Sequence, residues 1–147
     1  MLPITQALIT EHAVFTTVFN KIECQLPGLR TLEEAKLLGS LVESLLQEHG
    51  AAETDLAYSA LDHALDHEGR LTQLHEDHHE IDECLRRIQA ATTLADAQHL
   101  LKVALRSTRR HFKREERDIF PLLEQMLQGE SLAQLGDGWM ELHRAHA

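Results

Sequence analysis

Four stretches of this chain carry an apolar stripe at helical spacing, and each stripe holds one histidine. In the first, Leu8, His12, Phe15, Phe19, Ile22 and Leu26 share a face. In the second, Leu38, Leu41, Leu45, His49, Glu53 and Leu56 do so. The third carries Leu71, Leu74, His78, Ile81, Leu85 and Ile88. The fourth carries Leu101, Ala104, Leu105, Thr108, His111, Phe112, Glu115 and Ile119. Residues three and four apart meet on one side of a helix. His49 with Glu53, and His111 with Glu115, are therefore pairs one turn apart on a face meant for the core. An unpaired charge there is costly, so both pairs need partners. Two such helices facing each other supply a metal site between them.

The remaining features fit a helical domain. At 147 residues the chain is one domain's length, long enough for a substantial core. Aromatics are 4% of it and prolines number three, so little in the composition favours strands or loops. The net charge of −10 argues against nucleic acid and anionic membranes as partners. Cys24 and Cys84 form no close-spaced metal or redox motif, and they read as ordinary thiols in a reducing compartment, with a lone disulfide as the alternative. With no signal peptide and no apolar run of membrane-spanning length, a cytoplasmic location is expected. Eleven histidines are many for this length and need an explanation.

Pro3-Ile4-Thr5 opens the first helix and Pro27-Gly28 ends it. Thr31 with Glu34 fits a capping box for the second, which runs to about Leu61 before a polar break from Asp62 to Gly69. Thr92-Thr93 offers a cap for the fourth helix, and Pro121 should end or kink it near Phe120. The fold expected is all-α: an antiparallel up-down-up-down four-helix bundle over about residues 5–127, with a short helical tail at 128–147. In that tail Leu132, Leu135, Trp139 and Leu142 form a weak amphipathic stripe suited to covering one end of the bundle. The chain also reads as a weak internal repeat, a lone-histidine helix followed by a His-x-x-x-Glu helix, twice. His12 to His49 spans 49 − 12 = 37 positions and His78 to His111 spans 111 − 78 = 33. At 1.5 Å of rise per residue, each histidine falls roughly 20–25 Å from its connecting loop. Four histidines at one depth are hard to obtain from core packing alone.

Imidazole and carboxylate ligands without thiolate suit iron or manganese, with zinc as a substitute. Four histidines and two glutamates are too many for one ion. Two ions bridged by the two carboxylates use them all and neutralise the buried charge.

The pattern His12, His49-x-x-x-Glu53, His78, His111-x-x-x-Glu115, followed by Glu116 and Phe120-Pro121, resembles the hemerythrin-like (HHE cation-binding) family. The resemblance runs from about Thr5 to Leu127. It implies a four-helix bundle around a non-haem di-iron centre. It further implies His12 and His49 on one iron, His78 and His111 on the other, and Glu53 and Glu115 bridging. A ferritin-like centre wants a Glu-x-x-His on each of two helices, and only Glu76-x-x-His79 qualifies here. Oxygen-carrying hemerythrins resemble this chain but bear a further histidine where Leu74 stands. That difference leaves room for more than one open or water-filled position and counts against simple reversible oxygen carriage.

On the third helix His78 falls on the inward line, while His75 lies at its margin and His79 on its flank. His63, His67, His99, His143 and His146 read as solvent-facing, and Tyr58 as core or edge packing that could reach the centre. The expected function is a di-iron protein that binds oxygen or nitric oxide, or reacts with peroxide, inside a sleeve of Phe15, Leu74, Ile81 and Phe112. Two alternatives stay open. One is an enzyme (peroxidase, nitric oxide reductase or iron donor for iron–sulfur repair); the other is an iron- or oxygen-sensing interaction module.

Overall fold

A computed structural model describes residues 1–64 and 71–145. The described residues form helices and no strand. The elements are α1 (Ile4–Gln25), α2 (Leu32–Ala52), α3 (Ser59–Ala64), α4 (Thr72–Ala90), α5 (Leu94–Arg114), α6 (Phe120–Met126) and α7 (Gly129–Ala145). Among these helices none is long and apolar enough to cross a membrane. Most of the polar break expected at Asp62 to Gly69 lies outside the described residues, as do His67 and His146.

Local chemistry sets the helix starts. Thr31 accepts the Glu34 amide at 3.2 Å, and Thr93 accepts the Asp96 amide at 3.2 Å, so each satisfies an amide that the first turn leaves unpaired. The capping box is only half formed, because Glu34 takes the Thr31 hydroxyl at 3.1 Å. α1 closes through a short 3-10 turn at Leu26–Gly28, where Pro27 cannot continue it.

Two helices change pitch at the same kind of residue. α2 passes into a π turn at Glu53–Tyr58 and α5 into a π turn at Glu115–Ile119. In each, the next amide reaches back five residues: Ser59 to the Thr54 carbonyl, Phe120 to the Glu115 carbonyl. The interruption expected at Pro121 therefore comes before the proline, which sits in the first turn of α6, where its missing N–H costs nothing. Such turns inside helices gather at functional sites.

The core is in two parts. Phe15, Phe19, Val42, Leu85 and Leu105 belong to one cluster; Leu8, Tyr58, Leu74, Phe120 and Leu123 belong to the other. His12, His49, Glu53, His111 and Glu115 are buried along the same helices, at positions between those two clusters. In α2 the inward line is Ala35, Gly39, Val42, His49 and Ala52, whereas Leu41 of the expected stripe is 47% exposed. Small residues win that face because α2 closes on α4: a Cβ on Gly39 would stand 2.8 Å from Ile88 Cγ2. The tail is a full helix. α7 packs along α1 and against the Glu53–Tyr58 turn, rather than across one end alone. Gly136 lies so close to the Leu2 carbonyl that no larger residue fits without a shift.

Candidate metal centre

The six residues singled out by helical phase meet. His12 Nε2 lies 3.1 Å from His49 Nε2, and His78 Nε2 lies 2.8 Å from His111 Nε2. His111 Nε2 is 3.2 Å from Glu115 Oε1, His12 Nε2 is 3.4 Å from the same oxygen, and His49 Nε2 contacts Glu53 Oε1. Two overlapping sets result: His12, His49, Glu53 and Glu115; and Glu53, His78, His111 and Glu115. Within each set the ligand atoms all lie within 4.8 Å of one another, and both sets share both carboxylates. His75 and His79 are exposed and belong to neither, and His63 and His99 are exposed as expected.

Each carboxylate is aimed by its π turn. A turn that closes on the fifth residue brings residue i+5 under residue i, so Tyr58 comes under Glu53 and Phe120 under Glu115. Tyr58 thus reaches the centre, against the expectation of core or edge packing. Its hydroxyl donates to Glu53 Oε2 at 2.9 Å, lies within hydrogen-bond reach of Glu115 Oε2, and is 3.5 Å from His111 Nε2. The repeat is close here. Tyr58 lies over His78 at 5.7 Å between ring centroids, and Phe120 lies over His12 at 5.4 Å.

Behind the inner residues stand two acids that helical phase alone did not single out. Glu11 Oε1 is 3.3 Å from His49 Nδ1, and Asp77 Oδ2 is 3.1 Å from His111 Nδ1. Each directly precedes a lone histidine, Glu11 before His12 and Asp77 before His78. Such acids fix the ring's orientation and leave Nε2 toward the centre. His143, expected in solvent, is half-buried against Trp139 and Glu11.

The electrostatics are those of a cluster short of positive charge. Burial holds His12 down at about 3, helped by His49 beside it, and holds His78 down at about 4. Burial also opposes charge on His49, but Glu53 and Glu11 outweigh it and raise His49 to about 9. Burial opposes charge on Glu53 too; His49 overrides it and lowers that carboxyl to about 2. Burial and the neighbouring Glu53 push the Tyr58 phenol well above its ordinary value, so it keeps its proton.

The donor set fits metal ions. Glu53 Oε1 and Glu115 Oε1 are buried without a hydrogen bond of ordinary geometry, crowded against the Nε2 atoms of His12, His49 and His111, and buried polar atoms are rarely left so. The paired Nε2 atoms face one another at the spacing of two nitrogens on one ion: with bonds of about 2.0–2.1 Å at about a right angle they would be about 2.9 Å apart. Cys24 and Cys84 are free thiols and lie in neither set.

A cleft of about 450 Å³ opens on one side, between α2 and α4. His49, Gly50, Glu53, His78 and His111 line it, with Ile81 and Phe112 as apolar wall.

The family model for the hemerythrin HHE cation binding domain matches residues 4–124. Comparison with curated proteins and with solved structures gives no match.

Proposed function

Because the chain belongs to the hemerythrin HHE cation binding domain family, we propose that it is a non-haem di-iron protein that binds oxygen or nitric oxide, or reacts with peroxide. The metal ligands in this reading are His12 and His49 for one ion, and His78 and His111 for the other. Glu53 and Glu115 bridge. The chain is read as a single domain, an antiparallel up-down-up-down bundle with α7 appended, working in the cytoplasm. The observation that carries the reading is the pair of buried His/Glu sets that share both carboxylates, with a cleft leading to them. Imidazole and carboxylate donors suit iron first, with manganese or zinc as substitutes.

Bound iron would supply redox chemistry toward a small ligand. The chain's own residues supply the rest. Glu11 and Asp77 orient His49 and His111. Tyr58 holds a proton between the Oε2 atoms of Glu53 and Glu115. Ile81 and Phe112 limit water in the cleft, and Gly50 leaves its mouth clear beside His78. Leu74 is only 1% exposed and adds no ligand on that side.

A second reading, a di-iron enzyme such as a peroxidase, draws on Tyr58. Its hydroxyl, hydrogen-bonded to Glu53 and Glu115, stands where it can also hydrogen-bond a peroxide-level substrate held beside them. The experiment is an anaerobic optical titration of the iron-loaded protein with oxygen, nitric oxide and peroxide. Reversible spectral change supports binding, and turnover of peroxide or nitric oxide supports the enzyme. A chain that takes up no iron overturns both.

A further inference from the structure

The two halves of the centre are backed by matching acids that are held in different ways. Asp77 is gripped within the bundle, by Arg114 Nη1 at 2.7 Å and Gln73 Nε2 at 3.0 Å. Glu11 is gripped from α7. Trp139 Nε1 donates to Glu11 Oε1 at 2.6 Å, and His143 Nε2 lies 3.2 Å from Glu11 Oε2. His143 is itself fixed, with Nδ1 at 2.8 Å from the Trp139 carbonyl and its ring 4.0 Å from the indole. The chain Trp139/His143–Glu11–His49 thus runs from a helix beyond residue 124 to the inner histidine of one subsite. The other subsite has no such tie among the described residues.

We propose that Glu11 is a positioning residue for the His12/His49 subsite, and that α7, through Trp139 and His143, sets the metal affinity of that subsite and not of its partner. The inference rests on the di-metal reading above. Its physical basis is that a carboxylate on the far nitrogen of a ligating histidine fixes the ring and strengthens it as a ligand. Glu11 has two oxygens and three partners, His49, Trp139 and His143. With α7 in place its carboxylate is held in one orientation. Without Trp139 and His143 to hold it, the carboxylate is free to turn toward water and release His49.

The test is an anaerobic titration of the full chain with cobalt(II), reading the affinity of each equivalent from the visible cobalt bands and, in every variant that keeps it, the emission of Trp139, the sole tryptophan. Circular dichroism first checks that each variant is helical. Glu11→Gln, Trp139→Phe and His143→Ala should each weaken one of two equivalents by about ten- to a hundredfold, the usual loss for an outer-shell partner, and leave the other unchanged. Trp139→Phe keeps the ring's bulk, so it carries the test if Glu11→Gln folds poorly. His143→Gln, which keeps an N–H donor, should restore part of what His143→Ala loses. Asp77→Asn should weaken the other equivalent and leave the Trp139 response to the first intact. Two equivalents in the wild-type chain, with both unchanged or both equally weakened in Glu11→Gln and Trp139→Phe, overturn this inference alone. A wild-type chain that binds no cobalt overturns the metal reading, and this inference with it.

Discussion

Gly50 and Phe112 occupy equivalent positions, each one residue after the histidine of a His-x-x-x-Glu pair, yet they treat the facing histidines in opposite ways. Phe112 stacks on His12 with ring centroids 3.8 Å apart and planes 9° from parallel. A Cβ on Gly50 would stand 3.8 Å from His78 Cε1, in ordinary contact, and Gly50 lines the cleft. One half of the centre is roofed by a ring and the other is open for want of a side chain. Gly50→Leu is expected to keep the wild-type metal content while slowing azide or nitric oxide binding severalfold or more. Gly50→Ala should change little. Stopped-flow mixing decides it, and an unchanged on-rate in Gly50→Leu would move the entry route elsewhere.

Glu53 and Glu115 serve both His/Glu sets. On the two-ion reading, replacing either with Ala would leave two cations facing one another across a single carboxylate. Metal content should fall from two ions per chain toward one. Elemental analysis reads this directly, and two irons retained in both variants would rule out the bridging assignment.

Tyr58→Phe keeps the ring and removes the hydroxyl that serves Glu53 Oε2 and Glu115 Oε2. An unsatisfied buried acceptor costs about 1–3 kcal/mol. The metal-free variant should therefore lose stability on that scale in urea unfolding. The iron-loaded variant should lose less, because metal then neutralises the same carboxylates. Equal losses with and without metal would show that the hydroxyl matters to packing only.

The chelator-treated protein should be most stable near pH 6.5. His12 at about 3 and His78 at about 4 lie below their ordinary 6.5. Between those values the unfolded chain binds protons that the folded chain refuses, so stability present above pH 6.5 is lost as pH falls. Glu53, held at about 2, adds a further loss below its ordinary 4.5. His49 acts the other way: raised to about 9, it contributes below pH 6.5 and loses that contribution as pH rises through 9. Urea midpoints at pH 5, 6.5 and 9 test this, and a midpoint that climbs steadily from 5 to 9 would contradict it.

On α4 three histidines compete for one role. His78 Nε2 faces His111 Nε2 at 2.8 Å, while His75 and His79 are exposed. His78→Ala is expected to cost metal and spectrum, and His79→Ala to leave both nearly unchanged. Iron content of the two variants is sufficient to judge.

The four histidines and two glutamates were legible because their depth and phase are properties of a straight α-helix, which sequence spacing encodes. The parts that escaped have specific causes. Tyr58 comes under Glu53 only because the backbone closes on the fifth residue there, and an α-helical wheel turns it away. Glu11 and Asp77 sit one residue from the inward line, about 100° round the helix, where a carboxylate ordinarily meets water. Their roles depend on reaching across to another helix. His143 joins Glu11 only once α7 lies along α1, a docking its weak apolar stripe does not announce. In α2 the inward line shifted rather than vanished: Leu38 and Leu45 are half-buried against the core and Leu41 is exposed, since close approach to Ile88 rewards Gly39 over a larger residue.

The two π turns make the centre a matter of chain length as well as of residue identity. Each spends one residue more than an α-helical turn does before the backbone pairs again. No substitution at any single position removes that extra residue. Deleting one exposed residue, such as Asp55, would let the helix close in the ordinary way. The tyrosine would then stand four residues after Glu53, the spacing at which an ordinary α-helix also sets two residues on one face. Each π turn thus takes up one added residue within a single turn, and a position-by-position comparison with a chain of regular helices must allow a gap there.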